Sequence, residues 1–148
     1  MTMSSPMERA LELAAEAAAA GEAPVGAVIM DGDTLLAADR NRMRQFNDPT
    51  AHAELLAIRA ALQARGTGRL DGCDLYVTLE PCAMCAGAVA HARLRRVVYG
   101  AEDLKAGAVD HGVRLFESPN CNHRPEVISG IGAAHSTELL KAFFAALR

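Results

Sequence analysis

Two short segments of the chain carry residue types that bind metals and move protons. The first, "PTAHAE", contains His52 and Glu54, and the second, "PCAMC", contains Cys82 and Cys85. Imidazole and thiolate groups are preferred ligands of zinc, and a carboxylate beside a metal-bound water can accept its proton. Together, the four side chains indicate a metal site that carries out chemistry.

The two cysteines are three positions apart and directly follow Pro81, which ends an apolar run and predicts the start of a helix. In the first turn of a helix both sulfurs project to the same side. The unpaired backbone N–H groups and the helix dipole favour the thiolate form there. With His52 they predict three ligands for one Zn²⁺, and an open fourth position is typical of a catalytic zinc site. Iron is the alternative metal.

A fourth protein ligand would instead close the site and make it structural. The remaining cysteines and histidines that could supply it are Cys73, Cys121, His91, His111, His123 and His135. None of them forms a second CxxC or HxxxH pair, so the sequence favours the open site. The closed alternative corresponds to a non-catalytic, zinc-stabilised binding module, in which Glu54 would have no role.

Glu54 lies two positions after His52, and residues two apart in a helix point about 200 degrees away from each other. Both side chains can face one metal only if the helix begins at this pair, and Asp48 and Pro49 predict that start. Zinc held by two thiolates acidifies its bound water less than zinc held by three imidazoles. The water therefore needs a carboxylate to take its proton, and Glu54 is the predicted catalytic residue.

The spacing of apolar and turn residues predicts the elements that position this site. A capping box at Ser5 and Glu8 begins a first helix that ends before Gly21, and a polar loop at 40–48 precedes a second helix that ends at Gly66. A third helix is predicted from about Cys82 to Arg93, a short one in "DHGVRLFES", and a last one in "STELLKAFFAALR". The predicted strands are "VGAVIM", "TLLAAD", "DLYVTLE", "RVVYGA" and "EVIS". A hairpin followed by alternating strands and helices predicts an α/β fold, with a mixed sheet between two helical layers.

Length and composition limit the organisation of the chain. Its 148 residues, 51% of them hydrophobic, predict a single domain over 1–148 with one sizeable core. Four cysteines are too few for a disulfide scaffold, and the first 26 residues show neither a basic leader nor an uninterrupted apolar run. We therefore expect no membrane span and a cytoplasmic location.

The formal net charge of −3 gives no overall attraction to nucleic acid. A nucleic-acid partner would have to meet a local basic patch, for which "RNRMR" at 40–44 and "RLRR" at 93–96 are the candidates. Ordinary solvated surface arginines explain both segments equally well. Charge alone therefore does not identify a partner.

The pairing of "PTAHAE" with "PCAMC" resembles the signature of the zinc-dependent nucleobase deaminases. The segments "EAPVGAVI", "NDPTAHAE", "LEPCAMCAGA" and "RRVVYGA" are similar to the tRNA-specific adenosine deaminases, from about Glu22 onward. This resemblance implies a cytidine deaminase-like, three-layer α/β/α sandwich with a central five-stranded mixed sheet. It also implies a homodimer that hydrolyses the wobble adenosine of a tRNA anticodon to inosine.

By position, the resemblance implies that Asn41 holds the flipped base. It further implies that Asp103, Lys105 and Phe144 lie along the path of the anticodon stem-loop. The two metal-site motifs are shared across the superfamily and do not select the substrate. A deaminase of a free base or nucleoside, of guanine or cytosine type, is therefore the alternative within the same class.

Overall fold

The computed structural model describes residues 4–147, so Arg148, the predicted end of the last helix, lies outside the described residues. Five strands form one sheet: β1 (Gly26–Asp31), β2 (Thr34–Arg40), β3 (Cys73–Leu79), β4 (Arg96–Ala101) and β5 (Glu126–Ile128). Their order across the sheet is β2-β1-β3-β4-β5. β1 is antiparallel to β2 and β3, whereas β3, β4 and β5 run parallel. The mixed sheet thus consists of an antiparallel hairpin, β1 and β2, joined to three parallel strands, β3, β4 and β5.

Helices cover both faces of this sheet: α1 (Pro6–Ala19), α2 (Met43–Phe46), α3 (Ala53–Arg65), α4 (Ala83–Ala92) and α5 (Ala133–Ala146). Alternate strand residues point to opposite faces, because side chains alternate along a strand. Val28 and Val98 pack with α1 and α5, whereas Ile29, Leu75 and Val97 pack with α3 and α4. The predicted three-layer arrangement is confirmed.

A close approach at Gly26 fixes β1 beneath α1. A Cβ atom at this position would lie 2.0 Å from the Ala10 carbonyl oxygen, so only glycine allows the helix to pack this tightly. The hydroxyl of Thr78 on β3 accepts the Gly26 N–H at 3.2 Å. β1 is therefore held in place both by α1 and by the neighbouring strand β3.

Three elements differ from the sequence predictions. The short helix predicted in "DHGVRLFES" is a single 3₁₀ turn, Leu115–Glu117. The loop at 40–48 contains the short helix α2, which had no sequence signal because four residues are too few to show a helical period. The last helix begins at Ala133 and not at Ser136, whose buried hydroxyl donates to the Thr78 carbonyl oxygen at 2.6 Å. That serine fastens α5 to the sheet and does not cap it. Among the described residues, no helix has the length and apolar character needed to cross a membrane.

Candidate active site

The N-termini of α3 and α4 lie beyond the end of the central strand β3 and bring three candidate ligands together. The His52 Nδ1 atom lies 3.6 Å from the Cys82 sulfur and 3.6 Å from the Cys85 sulfur. A zinc ion about 2.0 Å from the nitrogen and about 2.3 Å from each sulfur, at tetrahedral angles, would hold these atoms about 3.6 Å apart. The donor set and its spacing therefore fit a tetrahedral metal ion.

The backbone explains how His52 and Glu54 both face the cluster. His52 has extended dihedrals, φ −77° and ψ 150°, and precedes the helix, whereas Glu54 lies in its first turn. The helix is capped from a distance, because the Asn41 side-chain oxygen accepts the Ala53 N–H at 2.8 Å. Asp48 accepts the Thr50 N–H at 2.8 Å and forms a turn before the helix. The helix therefore begins at this pair, as the sequence predicts, and Asn41 accepts its first N–H group while Asp48 shapes the preceding turn.

No other cysteine or histidine joins this cluster within the described residues 4–147. Cys73 accepts a hydrogen bond from Arg65, and the Cys121 thiol donates to the His123 carbonyl oxygen at 3.1 Å. His111 pairs with Glu80. The three clustered side chains therefore form an open set among these residues.

The two sulfurs have opposite tendencies to ionise. The hydrogen bond from Cys85, followed by the His52 ring, lowers the pKa of Cys82 to about 4. The same hydrogen bond and burial raise the pKa of Cys85 above its usual value. The adjacent Cys82 sulfur raises the pKa of His52. The cluster thus attracts positive charge, and a metal cation could take the place of the protons.

Glu54 is a buried carboxylate beside this cluster, with 4% of its surface exposed. Burial raises the pKa of Glu54 to about 7, because the charged form loses its hydration. Near neutral pH, such a group can both accept and release a proton. That property is required of a general acid–base catalyst.

A cavity of about 490 Å³ opens over the cluster, within the usual size range of small-molecule sites. Seven of the eight residues singled out from the sequence line it: Asn41, His52, Glu54, Cys82, Asp103, Lys105 and Phe144. The eighth, Cys85, is fully buried behind them. Met43 and Leu140 add apolar walls that the sequence did not point to.

Two buried carboxylates next to the cavity were also missed. Glu22 accepts the backbone N–H groups of Arg44 and Gln45, at 3.0 and 2.8 Å, and so caps α2. Glu80 accepts hydrogen bonds from the loop after β4. Each is an acidic residue in an otherwise apolar segment, "EAPVGAVI" and "LYVTLEP". That contrast is the signal that could have identified them.

The fold and this ligand cluster together define a deaminase of the cytidine deaminase-like class. The model of the MafB19-like deaminase family matches residues 1–148. A tRNA-specific adenosine deaminase of Agrobacterium fabrum is 51% identical over 138 residues, which cover 93% of this chain and 91% of the relative. The chain therefore belongs to the MafB19-like deaminase family and groups with the tRNA-specific adenosine deaminases.

Solved structures agree with this assignment. One from a study of A-to-I editing by tRNA deaminases at the wobble position has a TM-score of 0.90 and 51% identity, covering 91% of this chain and 98% of the other. A guanine deaminase from Nitrosomonas europaea has a TM-score of 0.76 and 28% identity, covering 98% and 87%. The predicted fold class, the family resemblance and the prediction of a hydrolytic deaminase are confirmed.

Proposed function

We propose that the protein hydrolyses adenosine to inosine at the wobble position of a tRNA anticodon. The observation that carries the proposal is one cavity that opens over the three candidate ligands and is lined by the buried Glu54, in a chain 51% identical to a tRNA-specific adenosine deaminase. As an enzyme of tRNA modification it would act in the cytoplasm. The chain would form a single domain over 1–148, as its length and composition predict, and a homodimer, as the resemblance implies.

The metal in this proposal is zinc, one ion per chain. His52, Cys82 and Cys85 would hold it, and their spacing suits the tetrahedral geometry that zinc prefers. The ion would supply a Lewis acid that makes a water molecule more acidic at neutral pH. A side chain of the protein would carry out the proton transfers between this water and the base.

Glu54 would act as the proton shuttle. It takes a proton from the attacking water and delivers it to N1 of adenine while the water oxygen bonds to C6. It then takes the remaining water proton from the hydroxyl on C6 and transfers it to the amino group, so that the C6 carbonyl forms as the C6–N bond breaks and ammonia leaves. The burial of Glu54 beside the cluster suits both transfers, because it keeps bulk water away from the carboxyl group.

The cavity wall supplies contacts for the base. The side-chain oxygen of Asn41 is engaged by the Ala53 N–H, so its amide nitrogen is oriented to donate to a base in the cavity. Phe144, which is 50% exposed at the rim, would offer a stacking surface for an unstacked nucleotide. Lys105 on the same rim would meet a phosphate. The Asp103 carboxylate accepts the Lys105 and Ala106 N–H groups and so shapes the loop that carries Lys105.

The test compares the wild-type protein with the Glu54→Gln variant on an anticodon stem-loop that carries adenosine at the wobble position. We expect inosine and ammonia from the wild type, and an unchanged metal content with loss of turnover in the variant. Glu16→Gln, on the exposed face of α1, is the matched control and should retain activity. Turnover by Glu54→Gln would refute the proposed role of Glu54.

A guanine-type deaminase of free bases is the second candidate, supported by the structural similarity to the Nitrosomonas europaea guanine deaminase. Parallel assays with guanine, cytosine, cytidine, adenine and adenosine separate the two. Raising the salt concentration should weaken stem-loop binding steeply, because phosphate contacts release counterions, whereas a free base has no such dependence. If only a free base released ammonia, the proposed deamination chemistry would stand and an RNA substrate would be excluded.

A further inference from the structure

Glu80 lies between β3 and the first cysteine of the cluster, and its side chain is completely buried. Its two oxygens accept five hydrogen bonds from the loop that follows β4. Four come from the backbone N–H groups of Asp103, Val109, Asp110 and His111, at 3.0 to 3.1 Å, and one from the His111 ring at 2.7 Å. One carboxylate thus binds both ends of a nine-residue loop segment.

The first part of this loop, residues 102–106, forms one wall of the cavity. The middle of the loop lies directly against the cysteine turn, because Gly107 pairs with Cys82 and the Ala108 N–H donates to the Pro81 carbonyl oxygen at 2.9 Å. A Cβ atom on Gly107 would lie 2.6 Å from the Glu80 carboxyl carbon. Glycine therefore lets the loop pack against the carboxylate.

Little apolar packing holds this wall. Leu104 is 77% exposed, and Lys105 and Ala106 are exposed as well. The buried Ala108 and Val109 anchor the loop only beyond the wall, so the exposed residues 104–106 depend on the hydrogen bonds at both ends of the segment. Glu80 acts only as an acceptor in all five hydrogen bonds, as an ionised carboxylate does. The bonds are therefore charge-assisted and stronger than neutral ones.

We infer that Glu80 is a positioning residue that fixes the wall at 102–106 against the cluster turn, so that Lys105 meets the substrate at a set distance from Glu54. This inference rests on the proposed function. The carboxylate does not touch the reacting atoms. It acts through the loop, and its loss should weaken substrate binding more than the chemical step.

The test uses Glu80→Gln, which keeps the shape of the side chain and removes the charge and one acceptor oxygen. Hydrogen exchange of the amides of Asp103 and 109–111 should become faster by on the order of tenfold. The KM for the stem-loop should rise by about tenfold, with a smaller change in kcat and an unchanged metal content. His111→Ala removes only the ring contact and should shift both readouts less, in the same direction. It also provides a result if Glu80→Gln does not fold.

Asp74→Asn is the matched control. Asp74 is also a buried carboxylate, but it pairs with Arg95 at the opposite end of β3. Asp74→Asn should lower the stability of the protein but leave the exchange rates of the loop amides and the KM unchanged. This control separates positioning of the loop from general destabilisation.

Wild-type rates of exchange in Glu80→Gln, or faster exchange without a rise in KM, would overturn the inference. Absence of stem-loop deamination by the wild type would instead refute the proposed function. The KM comparison would then be made with guanine, and the exchange measurement would stand unchanged.

Discussion

The four cysteines of the chain differ in what surrounds each sulfur, and only two of these environments suit a metal ion. Cys82 and Cys85 lie at a helix N-terminus, and each sulfur lies 3.6 Å from the His52 Nδ1 atom, so that one metal ion could bind all three. The Cys121 thiol donates to a carbonyl oxygen, and Cys73 is fully buried in the core. The chemistry of each cysteine thus follows from its position and not from its residue type.

Replacement of Cys85 by serine should abolish metal binding, because a hydroxyl is a far weaker ligand than a thiolate and two ligands hold zinc poorly. We expect close to one metal ion per chain in the wild type and close to none in Cys85→Ser, measured by elemental analysis after gel filtration. Cys121→Ser is the matched control and should keep its metal, since serine can donate the same hydrogen bond. Full metal content in Cys85→Ser would contradict the proposed ligand set.

At the scale of elements, local signals were sufficient for most of the fold. Proline and glycine stops, capping residues and apolar periods predicted the helices and strands that surround the site. The sequence could not show contacts between residues distant along the chain. Asn41 caps a helix 12 positions further on, and Glu22 caps α2 from 22 positions away. Such pairs form only when the sheet brings separate segments together.

The short helix α2 depends on one of these distant contacts. Glu22, which is 2% exposed, accepts two N–H groups of α2. Glu22→Gln keeps one acceptor but removes the charge, and its unfolding free energy should fall by about 1–3 kcal/mol. Urea unfolding measures this change, with the exposed Glu16→Gln as the control that should stay near the wild-type value. Equal stability of the two variants would show that α2 does not need its cap.

Across the whole molecule, stability should depend on pH through His111. The hydrogen bond to Glu80 raises the pKa of His111 above its ordinary value of 6.5. The protonated ring therefore stabilises the fold fully below pH 6.5, and this contribution disappears as the pH rises through the folded-state pKa. The difference in unfolding free energy between the wild type and His111→Gln should be larger at pH 6 than at pH 9. A difference that is constant with pH would exclude a charged His111.

The three candidate ligands lie at the N-termini of α3 and α4, and other residues form the apolar core behind them. One buried cluster lies between the sheet and these two helices, and a second lies between the sheet and α1. Removal of the metal by a chelator should therefore abolish turnover and lower the melting temperature while the far-ultraviolet circular dichroism stays native, since most of the buried surface is retained. Added zinc should restore turnover. Complete unfolding in chelator, with no turnover on any substrate before its addition, would instead indicate a zinc-stabilised binding module.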